Sequence, residues 1–168
     1  RVVDMIICRS MDLEPVNKEF LQAMRGIIST VTVVSAKNGE NKQAMTATSV
    51  ASLSLDPPSM LVCINREASI HEVMKEGLGF CINILSLGQK NLADICSIKE
   101  KEEERFLEGN WSELENIPYN IDSQSNLFCN CVQAIQNSTH TIYVGEVTKV
   151  INKNTFDPLL YKDGNYLD

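Results

Sequence analysis

The sequence predicts a mainly β protein, an antiparallel β-barrel with short flanking helices. Runs rich in apolar and β-branched residues are separated by turn signals such as Asn38-Gly39 and Asp56-Pro57-Pro58, a pattern typical of hairpin-linked strands. Helical patterns are short and do not alternate strictly with the strands, which argues against a doubly wound sheet. No GxGxxG motif follows a strand, so a dinucleotide is not expected to bind in the Rossmann manner.

The first half of the chain is expected to form one helix and three strands. Apolar residues at helical spacing predict a helix from Phe20 onward, after Pro15 and with Asn17 as its cap. Alternating β-branched residues then predict a strand that turns at Asn38-Gly39 and resumes. The strands are predicted over residues 30–36, 43–55 and 59–65.

The second half adds two short helices and further strands. From Ser69 the apolar spacing predicts a helix that ends at a Gly77 cap, and a second helix is predicted over residues 89–96. The charged stretch that ends at Arg105 is expected to be a solvated helix or loop. Residues 109–125, rich in Asn, Ser and Pro, are expected to be irregular. Strands are predicted over residues 78–85, 127–136 and 139–151.

Length and composition favour a single domain. A chain of 168 residues with 43% hydrophobic content can bury a sizeable core. Residues 1–10 are interpreted as an N-terminal extension or upstream remnant, because Met11 is a plausible native start. Residues 11–168 are then the domain.

The charge and the apolar runs exclude two classes of partner. A net charge of −7 repels a polyanion, so no nucleic acid is expected. The longest apolar run, residues 60–64, is far shorter than the ~20 residues that a membrane-spanning helix needs. We therefore expect a soluble protein that does not bind a membrane.

The cysteines indicate neither a metal site nor a disulfide framework. The six cysteines show no CxxC spacing and are accompanied by only two histidines, so no metal is expected. Reduced thiols in a cytoplasmic protein are the favoured interpretation.

The most informative stretch is residues 45–58, Met-Thr-Ala-Thr-Ser-Val-Ala-Ser-Leu-Ser-Leu-Asp-Pro-Pro. It places five hydroxyls and several small side chains on one bent strand. Small residues let a flat polar ring approach the backbone, and N–H and hydroxyl groups can meet its carbonyls and ring nitrogens. Taken alone, the stretch is more typical of a strand whose Ser and Thr side chains face solvent.

Two further segments could contact a ligand. Arg66 and Ser69 lie between an apolar strand and a helix start, where a cation, a hydroxyl and free N–H groups could hold a phosphate. The alternative is a helix cap beside a surface charge. His140 begins a strand that contains Gly145, and a glycine there indicates a bulge or the close approach of a ligand.

Taken in order, these segments resemble the flavin reductase-like family, the small reductase components of two-component flavin monooxygenases. The resemblance runs from about Phe20 to Tyr166. The segments that carry it are Thr32-Val33-Val34, Met45-Thr46-Ala47-Thr48-Ser49, residues 52–58, Val62-Cys63-Ile64, residues 80–85, Arg105-Phe106, Trp111, Cys129, His140 with Gly145-Glu146-Val147, and Pro158-Leu159-Leu160-Tyr161.

The resemblance implies an FMN-binding split β-barrel, a homodimer and the reduction of FMN or FAD by NADH or NADPH. It implies hydride transfer through the flavin itself, with no catalytic side chain and no metal. The flavin ring and ribityl chain would contact Thr46, Ala47, Thr48, Ser49, Ser52 and Ser54. The phosphate would contact Arg66, Ala68, Ser69 and Ile70, and the nicotinamide would contact Ser29, Thr30, His140 and Tyr166.

The chain departs from the family pattern mainly on the nicotinamide side. Ser138-Thr139 stands where the family usually has Gly-Asp, Ser29-Thr30 where it has Thr-Gly, and Ala44 where a glycine is common. The flavin is therefore better supported than the electron donor.

Three functions follow from the resemblance. The first is a reductase that supplies reduced flavin to a monooxygenase partner. The second is an electron carrier resembling flavoredoxin, which keeps its FMN and exchanges electrons with a protein. The third is a structural or flavin-storage barrel. The sequence leaves open the choice between FMN and FAD, between NADH and NADPH, and the physiological electron acceptor.

Overall fold

The computed structural model describes residues 14–167. The predicted N-terminal extension, its boundary at Met11, and Cys8 lie outside the described residues. Within the described range the helices are α1 (Pro15–Arg25) and α2 (Lys90–Ser97), with short 3-10 helices at Ser69–Glu72, Leu87–Gln89 and Lys99–Glu104.

Most of the remaining residues form strands. They are β1 (Ser29–Thr30), β2 (Thr32–Asn38), β3 (Asn41–Ala47), β4 (Val50–Leu55), β5 (Pro58–Asn65), β6 (Gly79–Ile84), β7 (Trp111–Leu114), β8 (Ile117–Asn120), β9 (Ser125–Asn137), β10 (His140–Asn152), β11 (Leu160–Lys162) and β12 (Asn165–Leu167).

Seven of these strands form one antiparallel sheet that closes into a barrel. Its order is β3-β2-β6-β9-β10-β5-β4, so β3 and β4 are the two edges. The chain passes from one edge to the other through Thr48 and Ser49 alone. The Cα atoms of Ala47 and Val50 are therefore at most ~11 Å apart, and the sheet must curl until its edges meet. This confirms the predicted split β-barrel.

The barrel interior is apolar because alternate side chains of the curled strands point inward. Fully buried residues there include Val34, Ile64, Phe80, Ile82 and Tyr143. A second apolar cluster covers the outside of β2 and β3 and joins Val31 and Leu85 to Leu92 on α2. Leu159 and Tyr161, next to and within the small β1-β11-β12 sheet, complete that cluster.

Three local predictions are wrong for identifiable reasons. Glu14, not Asn17, caps α1, because Pro15 occupies the first helical turn, where its missing N–H costs nothing. The predicted helix from Ser69 is one 3-10 turn, since Ile70 and its neighbours enter the barrel core within that turn. The predicted strand over residues 43–55 is two strands, because the barrel closes between Ala47 and Val50.

The predicted irregular excursion is also wrong in part, because it contains the hairpin β7–β8. Its turn residues Glu115 and Asn116 both have positive φ, 51° and 64°. Two left-handed residues match the twist of paired strands. The usual Asn-Gly signal of such a turn is absent from this segment, which concealed it.

Gly145 lies at a bulge, as predicted, because the β9–β10 register shifts between Val144 and Gly145. The close approach comes from protein side chains and not from a ligand. A Cβ on Gly145 would lie 2.5 Å from Phe80 Cζ and 2.7 Å from Cys129 Cβ.

The described residues carry free cysteines and no long apolar helix. Cys63, Cys81, Cys96, Cys129 and Cys131 are unpaired thiols. Within residues 14–167, no helix has the length and apolar character needed to cross a bilayer, and no cluster of three metal-ligating side chains is present.

Candidate functional site

Strand β3 and the corner that follows it border two cavities. The first, of about 370 Å³, is called here the arginine cavity and is lined by Met45, Ser69, Cys96, Lys99 and Arg105, among others. The second, of about 410 Å³, is called the hydroxyl cavity and is lined by Ser29, Thr30, Thr48, Ser52 and Gln124, among others. Met45 lines the first cavity and Thr48 the second, and their Cα atoms are at most ~11 Å apart because they are only three positions apart in the sequence. The two cavities are therefore neighbours.

Arg105 is the principal charged group of the arginine cavity. Its side chain is only 4% exposed. Its guanidinium donates to the carbonyl oxygens of Ala44 at 2.9 Å and Ile98 at 3.1 Å, and to Ser69 Oγ at 3.3 Å. Nε has no partner, and no carboxylate within residues 14–167 pairs with this cation.

A buried cation without an anionic partner is costly, which favours an anion in the cavity. The turn that precedes Ser69 satisfies its own N–H groups and leaves those of Ser69 and Ile70 free. Asn65 Oδ1 accepts the Glu67 N–H at 2.9 Å, and the Ala68 N–H donates to the Asn65 carbonyl at 3.0 Å. Among the described residues, the N–H groups of Ser69 and Ile70 show no hydrogen bond.

Burial keeps the one thiol that lines this cavity uncharged. Burial raises the pKa of the Cys96 thiol to about 12 despite the favourable Arg105 charge nearby. The thiol is therefore protonated at neutral pH and is a poor nucleophile. The arrangement can bind an anion but carries no reactive thiolate.

The hydroxyl cavity gathers polar groups from separate parts of the chain. Ser29 and Thr30 come from β1, Thr48 from the barrel corner and Ser52 from β4. Gln124 is 7% exposed and its Oε1 has no hydrogen-bond partner within the described residues. A buried amide oxygen of this kind requires a donor, so the cavity suits a flat ring with N–H groups at its edge.

Four of the residues predicted to contact the flavin ring or ribityl chain lie outside both cavities. Thr46 is buried and donates to the Ala93 carbonyl of α2 at 2.6 Å. Ala47 is buried in the barrel core. Ser54 is exposed and bonds to the backbone of Asp56. Exposed Ser49 supplies the carbonyl that accepts the Cys63 N–H at 3.0 Å. None of these four residues lines either cavity.

The predicted phosphate contacts separate into inner and outer groups. Ala68 and Ser69 line the arginine cavity, whereas the Ile70 side chain is fully buried in the barrel core. Arg66 is exposed, and its guanidinium reaches the Ser138 carbonyl at 3.4 Å. Arg105, and not Arg66, is the buried arginine that lines this cavity.

His140 lies beside Arg66 and lines neither the arginine cavity nor the hydroxyl cavity. It pairs with Asn65 across β5 and β10, and its Nδ1 lies 2.8 Å from Thr139 Oγ1. Ser138, where the family usually has glycine, has a φ of 51°. The left-handed turn explains why the family favours glycine at that position.

Tyr166 is anchored on α2. Its hydroxyl donates to Asp94 Oδ1 at 2.8 Å and its ring packs edge-on against Tyr161 at 5.6 Å. Burial and the Asp94 carboxylate raise the pKa of Tyr166. Tyr166 lines neither cavity.

Sequence reasoning missed Arg105 and Gln124 as site residues. Arg105 ends a run of acidic residues, which made the whole segment look solvated, although Arg105-Phe106 belonged to the quoted resemblance. The only available signal was the apolar Phe106 directly after it. Gln124 lies in the segment interpreted as irregular, and no sequence feature near it indicated a ligand contact.

The closed antiparallel barrel, the cavity with a buried arginine and the polar cavity beside it define a small split-barrel protein suited to a phosphorylated ligand with a flat polar ring. Residues 24–168 match the model of the flavin reductase like domain. The chain therefore belongs to the flavin reductase-like family, which confirms the resemblance.

Two curated relatives cover nearly the whole chain. The reductase component of an FADH(2)-dependent resorcinol hydroxylase from Rhizobium sp. is 35% identical over 156 residues, 91% of this chain and 87% of that protein. An FMN reductase (NADH) RutF from Pseudomonas syringae pv. syringae is 31% identical over 148 residues, 88% of this chain and 83% of that protein.

Solved structures show the same fold. Flavin reductase PheA2 superposes with a TM-score of 0.80 at 29% identity, covering 92% of this chain and 97% of that chain. A flavin reductase domain protein from Arthrobacter sp. FB24 superposes with a TM-score of 0.82 at 25% identity, covering 90% and 94%.

Proposed function

We propose that this protein is a flavin reductase that transfers hydride from NADH to FMN and supplies reduced flavin to a partner oxygenase. The observation that carries the proposal is the buried Arg105 guanidinium, whose Nε has no partner, beside Ser69 in the arginine cavity. The names of the relatives support it, since they include an FMN reductase (NADH) and a reductase component of a hydroxylase.

The residues present fit FMN. Arg105, Ser69 and the free N–H groups of Ser69 and Ile70 would hold the phosphate, because charge-assisted donors favour a dianion. Thr48, Ser52 and Gln124 would meet the polar edge of the ring. Ser29 and Thr30 line the same cavity, which supports their proposed place on the nicotinamide side.

When bound, the flavin supplies the redox chemistry by accepting hydride from the reduced nicotinamide. The side chains of this chain bind and align the two rings and keep water out. No side chain has to act as acid or base. In this proposal no described residue is catalytic in its own right.

A steady-state assay tests the function directly. NADH and NADPH oxidation would be followed with added FMN, FAD or riboflavin. We expect multiple turnovers with NADH and FMN, because the exposed cavities let flavin exchange. Slow, stoichiometric reduction of a tightly held FMN would instead identify the flavoredoxin-like carrier. Flavin binding without any reduction would identify a storage barrel, and no flavin spectrum after gel filtration with excess FMN would end the proposal.

We further propose a cytoplasmic homodimer. The unpaired thiols fit a reducing compartment. Edge strand β4 exposes Leu53 and Leu55, and the long strands β9 and β10 expose Ile135 and Val150. Exposed apolar residues on an unpaired edge favour association with a second copy. Light scattering at micromolar concentration should give twice the 18.8 kDa chain mass, and a monomer mass would contradict the dimer.

His140 remains proposed for the nicotinamide side. Loss of binding that is equal in ground and transition states raises KM alone. We therefore expect His140→Ala to raise the KM for NADH roughly tenfold while kcat and FMN affinity stay within about twofold. His140 lies beside Arg66, so a selective loss of FMN affinity, with riboflavin unchanged, would place His140 at the phosphate instead.

A further inference from the structure

A third cavity adjoins the arginine cavity and has a contrasting charge. It is a groove of about 790 Å³, called here the glutamate groove, and Glu100 lines both it and the arginine cavity. Besides Glu100, the groove is lined by Glu102, Glu103 and Glu104. The groove lies next to the arginine cavity because its four glutamates directly precede the buried Arg105 in the sequence.

Cations only partly compensate this charge. Lys42 is the one cation among the residues that line the groove in the described chain, and its Nζ lies 4.6 Å from the Phe106 ring centroid. Lys101 Nζ lies 3.9 Å from Glu104 Oε2 and partly offsets that carboxylate. Four carboxylates against one lining lysine leave the groove strongly negative.

The arginine cavity shows the opposite preference. Arg105 and Lys99 line it against Glu67 and Glu100, and the buried guanidinium Nε has no partner. An anion is therefore attracted into the arginine cavity and repelled from the groove next to it. A ligand with one terminal phosphate needs only the first cavity, whereas a ligand extended beyond that phosphate brings further negative charge close to Glu100, which both cavities share.

We propose that the glutamate groove is a specificity determinant that selects FMN over FAD. The proposal rests on the proposed function, with the FMN phosphate at Arg105 and Ser69. FAD continues from that phosphate into a second phosphate and an adenosine. Because Glu100 lines both the arginine cavity and the groove, a second phosphate next to the first would be repelled by Glu100 and by the glutamates that follow it, and salt would screen this repulsion.

Riboflavin, which lacks any phosphate, separates ring binding from both charged regions. The test variant is Glu100→Gln/Glu102→Gln/Glu103→Gln, which removes three charges and keeps the side-chain size. The matched control is Glu19→Gln/Glu40→Gln/Glu115→Gln, because these three exposed glutamates line none of the three cavities. Dissociation constants for riboflavin, FMN and FAD would be measured by flavin fluorescence at low and high salt.

The wild-type chain should bind FMN more tightly than FAD. In the test variant we expect the FAD-to-FMN ratio of dissociation constants to fall roughly fivefold or more at low salt, and less at high salt, because exposed charges are screened. Riboflavin affinity should not change, and the control variant should keep the wild-type ratio.

Equal wild-type affinity for FMN and FAD, or the same ratio in the test variant, would overturn the proposal while leaving the reductase function intact. A similar fall in the control variant would attribute the effect to net charge and would also overturn it. Failure of FMN and riboflavin alike to bind the wild-type chain would refute the proposed function itself.

Discussion

Replacement of Arg105 by methionine is expected to weaken FMN binding about 100-fold and to leave riboflavin binding within about twofold. A hydrogen bond to a charged group contributes about 1.5 to 3 kcal/mol, and each 1.4 kcal/mol is a factor of about ten in affinity. Arg105 is buried, lines the arginine cavity and has an Nε without a partner, so water cannot readily take over its interactions as it would at an exposed site. Fluorescence titration with the two flavins measures the difference.

The same change also removes internal hydrogen bonds. Arg105 satisfies the carbonyls of Ala44 and Ile98, and an unsatisfied buried group costs about 1 to 3 kcal/mol. Urea unfolding should therefore show a loss of roughly 2 to 4 kcal/mol. Arg105→Lys keeps the charge without the planar fork, so it should recover part of the FMN affinity. It also keeps the test decisive if the methionine variant does not fold.

Arg66→Met provides the comparison at an exposed arginine. Its guanidinium makes one long contact, to the Ser138 carbonyl, and exposed charge pairs contribute about 0 to 1 kcal/mol. We expect FMN affinity to fall about threefold or less. A larger loss for Arg66→Met than for Arg105→Met would show that the phosphate lies at the surface and not in the arginine cavity.

Replacement of Gly145 by alanine is expected to destabilise the barrel by roughly 2 to 4 kcal/mol, because overpacking a dense core strains the backbone and side chains. The new Cβ would lie 2.5 Å from Phe80 Cζ and 2.7 Å from Cys129 Cβ. Neither neighbour is the end of a flexible chain. For a domain of this size that loss lowers Tm by about 5 to 15 °C, which calorimetry or circular dichroism would detect.

Gly88→Ala is the matched control, since a Cβ there meets no atom within 4 Å and the φ is not positive. Its Tm should change by no more than about 2 °C. A Gly145→Ala protein as stable as Gly88→Ala would mean that β10 can shift away from Phe80. The register shift between Val144 and Gly145 would then be a flexible bulge and not a fixed one.

Periodic patterns carried most of the strand prediction. The β-branched run of β2 and the apolar run of β5 both form strands, as predicted. Burial in β2 does not alternate, because residues 32–36 are all buried between the barrel core and the outer apolar cluster. Turns without their usual signal were missed, as the β7–β8 hairpin shows. Its Glu115 and Asn116 adopt left-handed backbone without glycine, and only the pairing of the flanking strands stabilises that conformation.

The candidate site was predicted unevenly. Ser69, Thr48 and Ser52 were predicted because small hydroxyl residues next to strand ends are a local feature, and they line the two cavities. Thr46 sits in the same stretch but turns its hydroxyl to the Ala93 carbonyl of α2. Its position was recognisable in the sequence, whereas the direction of its side chain depends on which face of β3 the helix covers.

The sequence by itself determined the β class, the family and the segments around Ser69 and Thr48, because periodicity, turn residues and local residue order are written along the chain. Only the tertiary structure decided that Arg105 is buried against Ala44 and that Gln124 and Ser29 line one cavity. These arrangements bring together residues far apart in sequence. They exist only because β3 and β4, the edges of one sheet, are joined by two residues and force the sheet to close.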